Sequence, residues 1–131
     1  MLQDQLDRAS LAGMATFDQA FNAPPLGLSV HEISREKKFT RVSAGHQALL
    51  GYRPSDLVGR LVTDFVVLKD ISDSAMNRKL APGALLRAST RSFRRADGTE
   101  ISLLQLDRHV KDDLGHIVGI RTAMCETPKL G

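Results

Sequence analysis

Small and apolar residues at Leu2, Leu6, Ala9, Gly13, Phe17 and Ala20 fall on one stripe at the helical period, while Asp4, Asp7 and Arg8 lie off it. Leu11 and Met14 widen the apolar surface, so the pattern predicts an amphipathic helix over 2–21. Pro24-Pro25 ends it, because neither proline has an N–H to donate and each restricts the residue before it. The period then changes to that of strands. Residues 26–33 and 39–42 read as two strands joined by the charged turn Ser34-Arg35-Glu36-Lys37-Lys38. Ser43 is placed to cap a short helix that runs to Leu50 and closes on Gly51. A second short helix follows Pro54-Ser55-Asp56-Leu57 and stops at Gly59. The stretch 61–80 reads as further helix, with Asp73 or Ser74 capping its last part, and Pro82-Gly83 breaks it.

The last third reads as three strands, over 85–95, 101–110 and 117–125. Ala96-Asp97-Gly98-Thr99 joins the first two with an Asp-Gly hairpin signature, and Asp112-Asp113-Leu114-Gly115 turns the chain again. Two strands, a helical middle and three long antiparallel strands define an α+β fold with its helices segregated to one face.

Composition narrows the function classes. At 131 residues the chain suits one domain around one ordinary core, and 42% hydrophobic against 25% charged residues argues against bulk disorder. No apolar run reaches membrane-spanning length and no basic-then-apolar leader opens the chain, so a cytoplasmic location is expected. The single cysteine, Cys125, rules out an intrachain disulfide and a thiolate zinc site. The histidines at 31, 46, 109 and 116 are scattered, so no metal site is expected; His31 and His46 read as surface residues, Tyr52 and Phe65 as core. The net charge of +3 does not make a nucleic-acid surface. Lys37-Lys38 and Arg94-Arg95 sit at turns beside acidic residues, and aromatic residues are 5% with no Trp. No nucleophile–base set, carboxylate pair or glycine-rich phosphate loop is recognisable, so an enzyme is not expected.

Four segments carry a family resemblance. Gly51-Tyr52-Arg53-Pro54-Ser55-Asp56-Leu57-Val58-Gly59 resembles the "GY-x-x-x-(E/D)-L-(I/V)-G" helix segment of PAS domains. Phe93-Arg94-Arg95-Ala96-Asp97-Gly98-Thr99 is similar to their hairpin, and Asp113-Leu114-Gly115-His116-Ile117-Val118-Gly119 to the turn into their last strand. Pro25-Leu26-Gly27-Leu28 fits their opening. The order and spacing of the four, over 25–127, make the match specific where each alone is common. Two departures stand out: Ser43 takes the place of a frequent Asn, and the closing "D-I-T" becomes Glu126-Thr127-Pro128, which still suits a helix start.

The resemblance implies a PAS-like five-stranded antiparallel sheet with short helices on one face, preceded by the N-terminal amphipathic helix. It divides the chain into a dimerisation or capping helix over 1–23, a sensory domain over 24–127 and the start of a linker or tail over 128–131. It also implies a cavity between sheet and helices. Matching the hairpin puts Arg91, Phe93, Leu103, Gln105, Asp107, Ile120, Thr122 and Met124 on the cavity side, as a ligand pocket in which Arg91 is the expected charged partner of Asp107. Leu104, Leu106, Arg108, Arg121 and Cys125 then face outward. Outward Leu104 and Leu106 need a cover, which the stripe of Leu2, Leu6, Phe17 and Phe21 could supply from its own chain or a partner's, giving a homodimer. Haem and covalently attached flavin are disfavoured: 70–80 holds no histidine and Val58-Gly59-Arg60 no cysteine. A small organic ligand remains, with no cofactor assigned. The expected function is a sensory module of a larger signalling protein, such as a sensor histidine kinase of a two-component system; a ligand-free dimerisation module is the alternative. No nucleic acid and no membrane contact is expected.

Overall fold

The computed structural model describes residues 29–127. The expected helix over 2–21, the opening at 25–28, the segment 128–131 and the four interface residues Leu2, Leu6, Phe17 and Phe21 lie outside the described residues. The elements are β1 (Ser29–Ser34), β2 (Phe39–Val42), α1 (Gly45–Leu50), α2 (Pro54–Leu57), a 3₁₀ turn (Val62–Asp64), α3 (Lys69–Leu80), β3 (Ser89–Arg94), β4 (Glu100–Lys111) and β5 (Ile117–Glu126). All five strands form one antiparallel sheet in the order β2-β1-β5-β4-β3. The β1–β5 contact puts the first and last strands side by side at its centre, so the sheet cannot form until the chain ends have met.

Three local expectations are corrected. Ser43 does not cap α1 with its side chain; its hydroxyl accepts the Val30 N–H at 3.0 Å and lies 3.3 Å from the Ser29 hydroxyl, tying the helix start to β1. The stretch 61–80 is not one helix, and α3 begins at Lys69 rather than at a cap on Asp73 or Ser74. Val62 and Thr63 form the 3₁₀ turn with Asp64, and the backbone of Phe65, Val66 and Val67, two of them β-branched, pairs with β3. Val67 N–H donates to Ser92 O at 3.0 Å, and Arg94 N–H to Phe65 O at 2.8 Å. The third strand starts at Ser89 instead of 85.

That late start shapes the molecule. β3 pairs with β4 only from Ser89↔Gln105 to Arg94↔Glu100, whereas β4 continues to Lys111. Beyond Gln105 the free side of β4 has no strand, and the chain over 84–88 runs clear of the sheet. The C-terminal turn of α3 reaches this part of β4, where His109 Nε2 donates to Lys79 O at 2.6 Å.

The core lies between the inner sheet face and the helices. Phe39, Leu50, Leu57, Met76, Phe93, Leu103 and Met124 are its fully buried large side chains, each removing apolar surface that contributes about 1.5–3 kcal/mol. The outer face is apolar as well. Val30, Ala123 and Leu106 stand in one cross-strand row, Cys125 and Leu104 in the next. All but the half-buried Leu104 are buried, and none belongs to the central cluster.

Candidate ligand site

Cross-strand pairing sets the inner face in rows. Ser89, Gln105, Met124 and Ser29 form one, and Asp107, Thr122 and His31 the next. Asp107 is 2% exposed, yet its carboxylate is well served: Oδ1 accepts from Thr122 Oγ1 and Oδ2 from Lys79 Nζ, both at 2.6 Å. The ion pair is therefore with Lys79 of α3, and the expected Arg91 partnership is corrected to a longer-range attraction. Geometry explains this. Lys79 follows Ser72 and Met76 on the inward stripe of α3, while Arg91 stands two inner rows away from Asp107, opposite Leu103.

His31 and His46 are corrected from surface to interior, at 3% and 0% exposure. His31 sits in phase with Ile33 on β1, and His46 lies one turn before the buried Leu50 on α1. His31 Nδ1 and His46 Nε2 are 3.1 Å apart, so one ring must donate. His46 Nδ1 is buried without a partner among the described residues, and leaving a lone pair unmade there is less costly than leaving an N–H unmade. His46 accordingly donates from Nε2. Burial, aided by the nearby cations of Arg91 and Lys79, lowers His31 from 6.5 to about 3, and burial beside His31 holds His46 well below its ordinary value. Both rings are neutral at pH 7.

Gln105 is 1% exposed; its Nε2 lies 3.3 Å from the weak acceptor Met124 Sδ, and its Oε1 has no partner among the described residues. Arg91 is half-buried and forms no hydrogen bond or ion pair with the described residues. Desolvation lowers its pKa, opposed in part by Asp107. It faces a cleft of about 760 Å³ between α3 and the chain from 84 to 92, which Lys79, Arg78 and Arg87 also line.

The eight residues expected at the pocket all stand on the inner face, but in two roles. Phe93, Leu103, Ile120 and Met124 pack in the core cluster, and Gln105, Asp107 and Thr122 make the polar floor described above. Only Arg91 of the eight lines the open cleft. Leu104 and Leu106 stand on the outer face. Lys79, and the interior placement of His31 and His46, are what the pattern above does not bring to the site. Helical spacing from Met76 and Leu50, and strand phase from Ile33, were the signals that could have found them.

An antiparallel sheet in this order, with its helices on one face and α3 leading into the third strand, is the PAS fold. Solved structures bear this out. The chain is similar to the PAS domain of a protein from Colwellia psychrerythraea, with TM-score 0.73, 12% identity and coverage of 87% of this chain and 96% of that one. The PAS domain of an HTR-like protein from Haloarcula marismortui aligns with TM-score 0.69, 16% identity and coverage of 86% and 90%. The PAS-B domain of Drosophila melanogaster Cycle with bound ethylene glycol aligns with TM-score 0.65, 18% identity and coverage of 76% and 99%. No protein-family model and no curated protein matches the chain. Among the described residues no helix is long and apolar enough to cross a membrane.

Proposed function

We propose that the chain is a sensory module that takes a small molecule between its sheet and α3 and reports occupancy to a larger signalling protein, such as a sensor histidine kinase. The observation that carries this reading is the polar interior. Gln105 Oε1 and His46 Nδ1 are buried without partners among the described residues, in the same interior as a buried Lys79–Asp107 pair, a costly arrangement for a domain whose only task is to fold. The PAS fold of the chain, whose solved counterparts include a domain holding a small polyol, supports the same reading.

In this reading 24–127 is the sensory unit, 128–131 begins a linker, and the module works in the cytoplasm without chemistry of its own. Occupancy shifts the population between two packings of α3 on the sheet. The outer face adds a second element. Val30, Leu106, Ala123 and Cys125 form a buried apolar cluster apart from the core, on the face that the stripe of the helix expected over 1–23 would suit, from the same chain or a second copy. This face also favours a constitutive dimerisation module as the competing reading.

Native mass spectrometry of the purified protein separates them. A dimer carrying extra mass supports the ligand-binding sensor, and a ligand-free dimer supports the dimerisation module. Deleting 1–23 and, separately, Leu106→Glu should each convert dimer to monomer. An unchanged dimer in both variants would remove the outer face from the interface.

A further inference from the structure

The cleft between α3 and β3 has a charge imbalance and apolar lining residues, and together they specify a ligand class. Its lining includes Arg78, Lys79, Arg87 and Arg91, and among the described lining residues none is acidic. At the back, Lys79 is committed to Asp107 at 2.6 Å. Asp107 answers Lys79 alone, so Arg78, Arg87 and the half-buried Arg91 leave the cleft cationic. A half-buried guanidinium without a hydrogen-bond or ion-pair partner among the described residues has lost hydration that an anion in the cleft would replace. Both sides of the cleft also carry apolar residues, Leu68 and Ile71 at the start of α3 and Leu85 on the facing segment. Leu68, Ile71 and Leu85 are 57%, 64% and 82% exposed, and all three line this cleft. Residues 84–88 belong to no strand and bring Leu85 and Arg87 to the cleft across from α3.

The geometry points to a small organic acid as the ligand, its carboxylate forked on the Arg91 guanidinium between Arg78 and Arg87, and its apolar body against Leu68, Ile71 and Leu85. The assignment rests on the ligand-binding reading above and adds the chemical class. A planar carboxylate matches the two-pronged donor geometry of arginine, and its negative charge suits the cationic lining. The volume of about 760 Å³ falls within the ordinary range for small-molecule sites, and the mixture of apolar lining and few convergent polar groups is typical of them.

The test is isothermal titration of the full chain with hexanoate, benzoate and phenylacetate, with the corresponding neutral amides, and with inorganic phosphate. At least one acid should bind at least about tenfold more tightly than its amide, and rising salt should weaken the acid alone. Arg91→Ala should cost at least about tenfold in affinity for that acid, and Arg91→Lys, which keeps the charge and loses the fork, should cost less. If Arg91→Ala does not fold, the lysine variant and the acid–amide comparison carry the test. Equal binding of acid and amide would overturn the carboxylate assignment while leaving the ligand-binding reading intact. Phosphate binding as tightly as any acid would overturn the apolar body. Failure of every acid to bind would overturn the proposal, and native mass spectrometry of the purified protein then decides separately whether another class occupies the interior.

Discussion

Replacing Lys79 by Met removes the ammonium from Asp107 and changes little else, because methionine has nearly the same length and the bond from His109 goes to the backbone carbonyl of residue 79. Asp107 is left 2% exposed with one remaining donor, the Thr122 hydroxyl at 2.6 Å, and with Arg91 at longer range. Stranding one member of a buried ion pair costs about 3–5 kcal/mol, and these two residual interactions bring the expected loss to the lower end, about 3 kcal/mol. A domain this size has a urea m-value of about 1–1.5 kcal/mol per molar, so the midpoint should fall by roughly 2 M. The double variant Lys79→Met/Asp107→Leu removes the stranded charge along with its partner. It should be no less stable than Lys79→Met alone, a coupling of about 2 kcal/mol in the cycle with Asp107→Leu. A midpoint shift below about 0.5 M for Lys79→Met, or simple additivity in the cycle, would refute a dry, mutually dependent pair at the end of β4.

Three further outcomes follow from the same structure. Because His31 is lowered from 6.5 to about 3 and His46 well below 6.5, the unfolded chain takes up protons that the folded one refuses. Stability contributed by their neutral forms is complete above pH 6.5 and is lost as pH falls from 6.5 toward 3, by roughly 2 kcal/mol at pH 5 for His31 alone. Urea titrations at pH 7 and pH 5 check this, and the dependence should flatten in His31→Gln/His46→Gln. Gly119→Ala should destabilise by about 2–3 kcal/mol, since a Cβ there would run into the Ile33 carbonyl oxygen on the neighbouring strand; an unchanged thermal midpoint would contradict the β1–β5 register. Leu103→Ala, at a side chain with no exposure, should cost about 2–5 kcal/mol by urea unfolding, and a loss under 1 kcal/mol would place that side of β4 away from the core.

Much of the architecture was legible because local chemistry determines it. Asp97-Gly98 and Asp112 with Gly115 make turns whatever surrounds them: both glycines adopt positive φ, and the Asp97 and Asp112 carboxylates accept backbone N–H groups two residues on. Gly51, also at positive φ, ends α1 where its sequence position suggests. Strand alternation then separates Leu103, Gln105 and Asp107 from Leu104 and Leu106 without reference to any other element. Tertiary structure decided the remainder. The stretch 65–67 could have been helix or extended until the β3 backbone supplied its partners. Ser43 had a helix N-terminus within reach and bonded β1 instead. The partner of Asp107 is the sharpest case, because two cations were available and nothing in their spacing ranks them. β3 stops at the Gln105 row, and α3 lies over the inner face beyond it, against Asp107 and His109. That packing sends Lys79 to the carboxylate and leaves Arg91 facing the cleft.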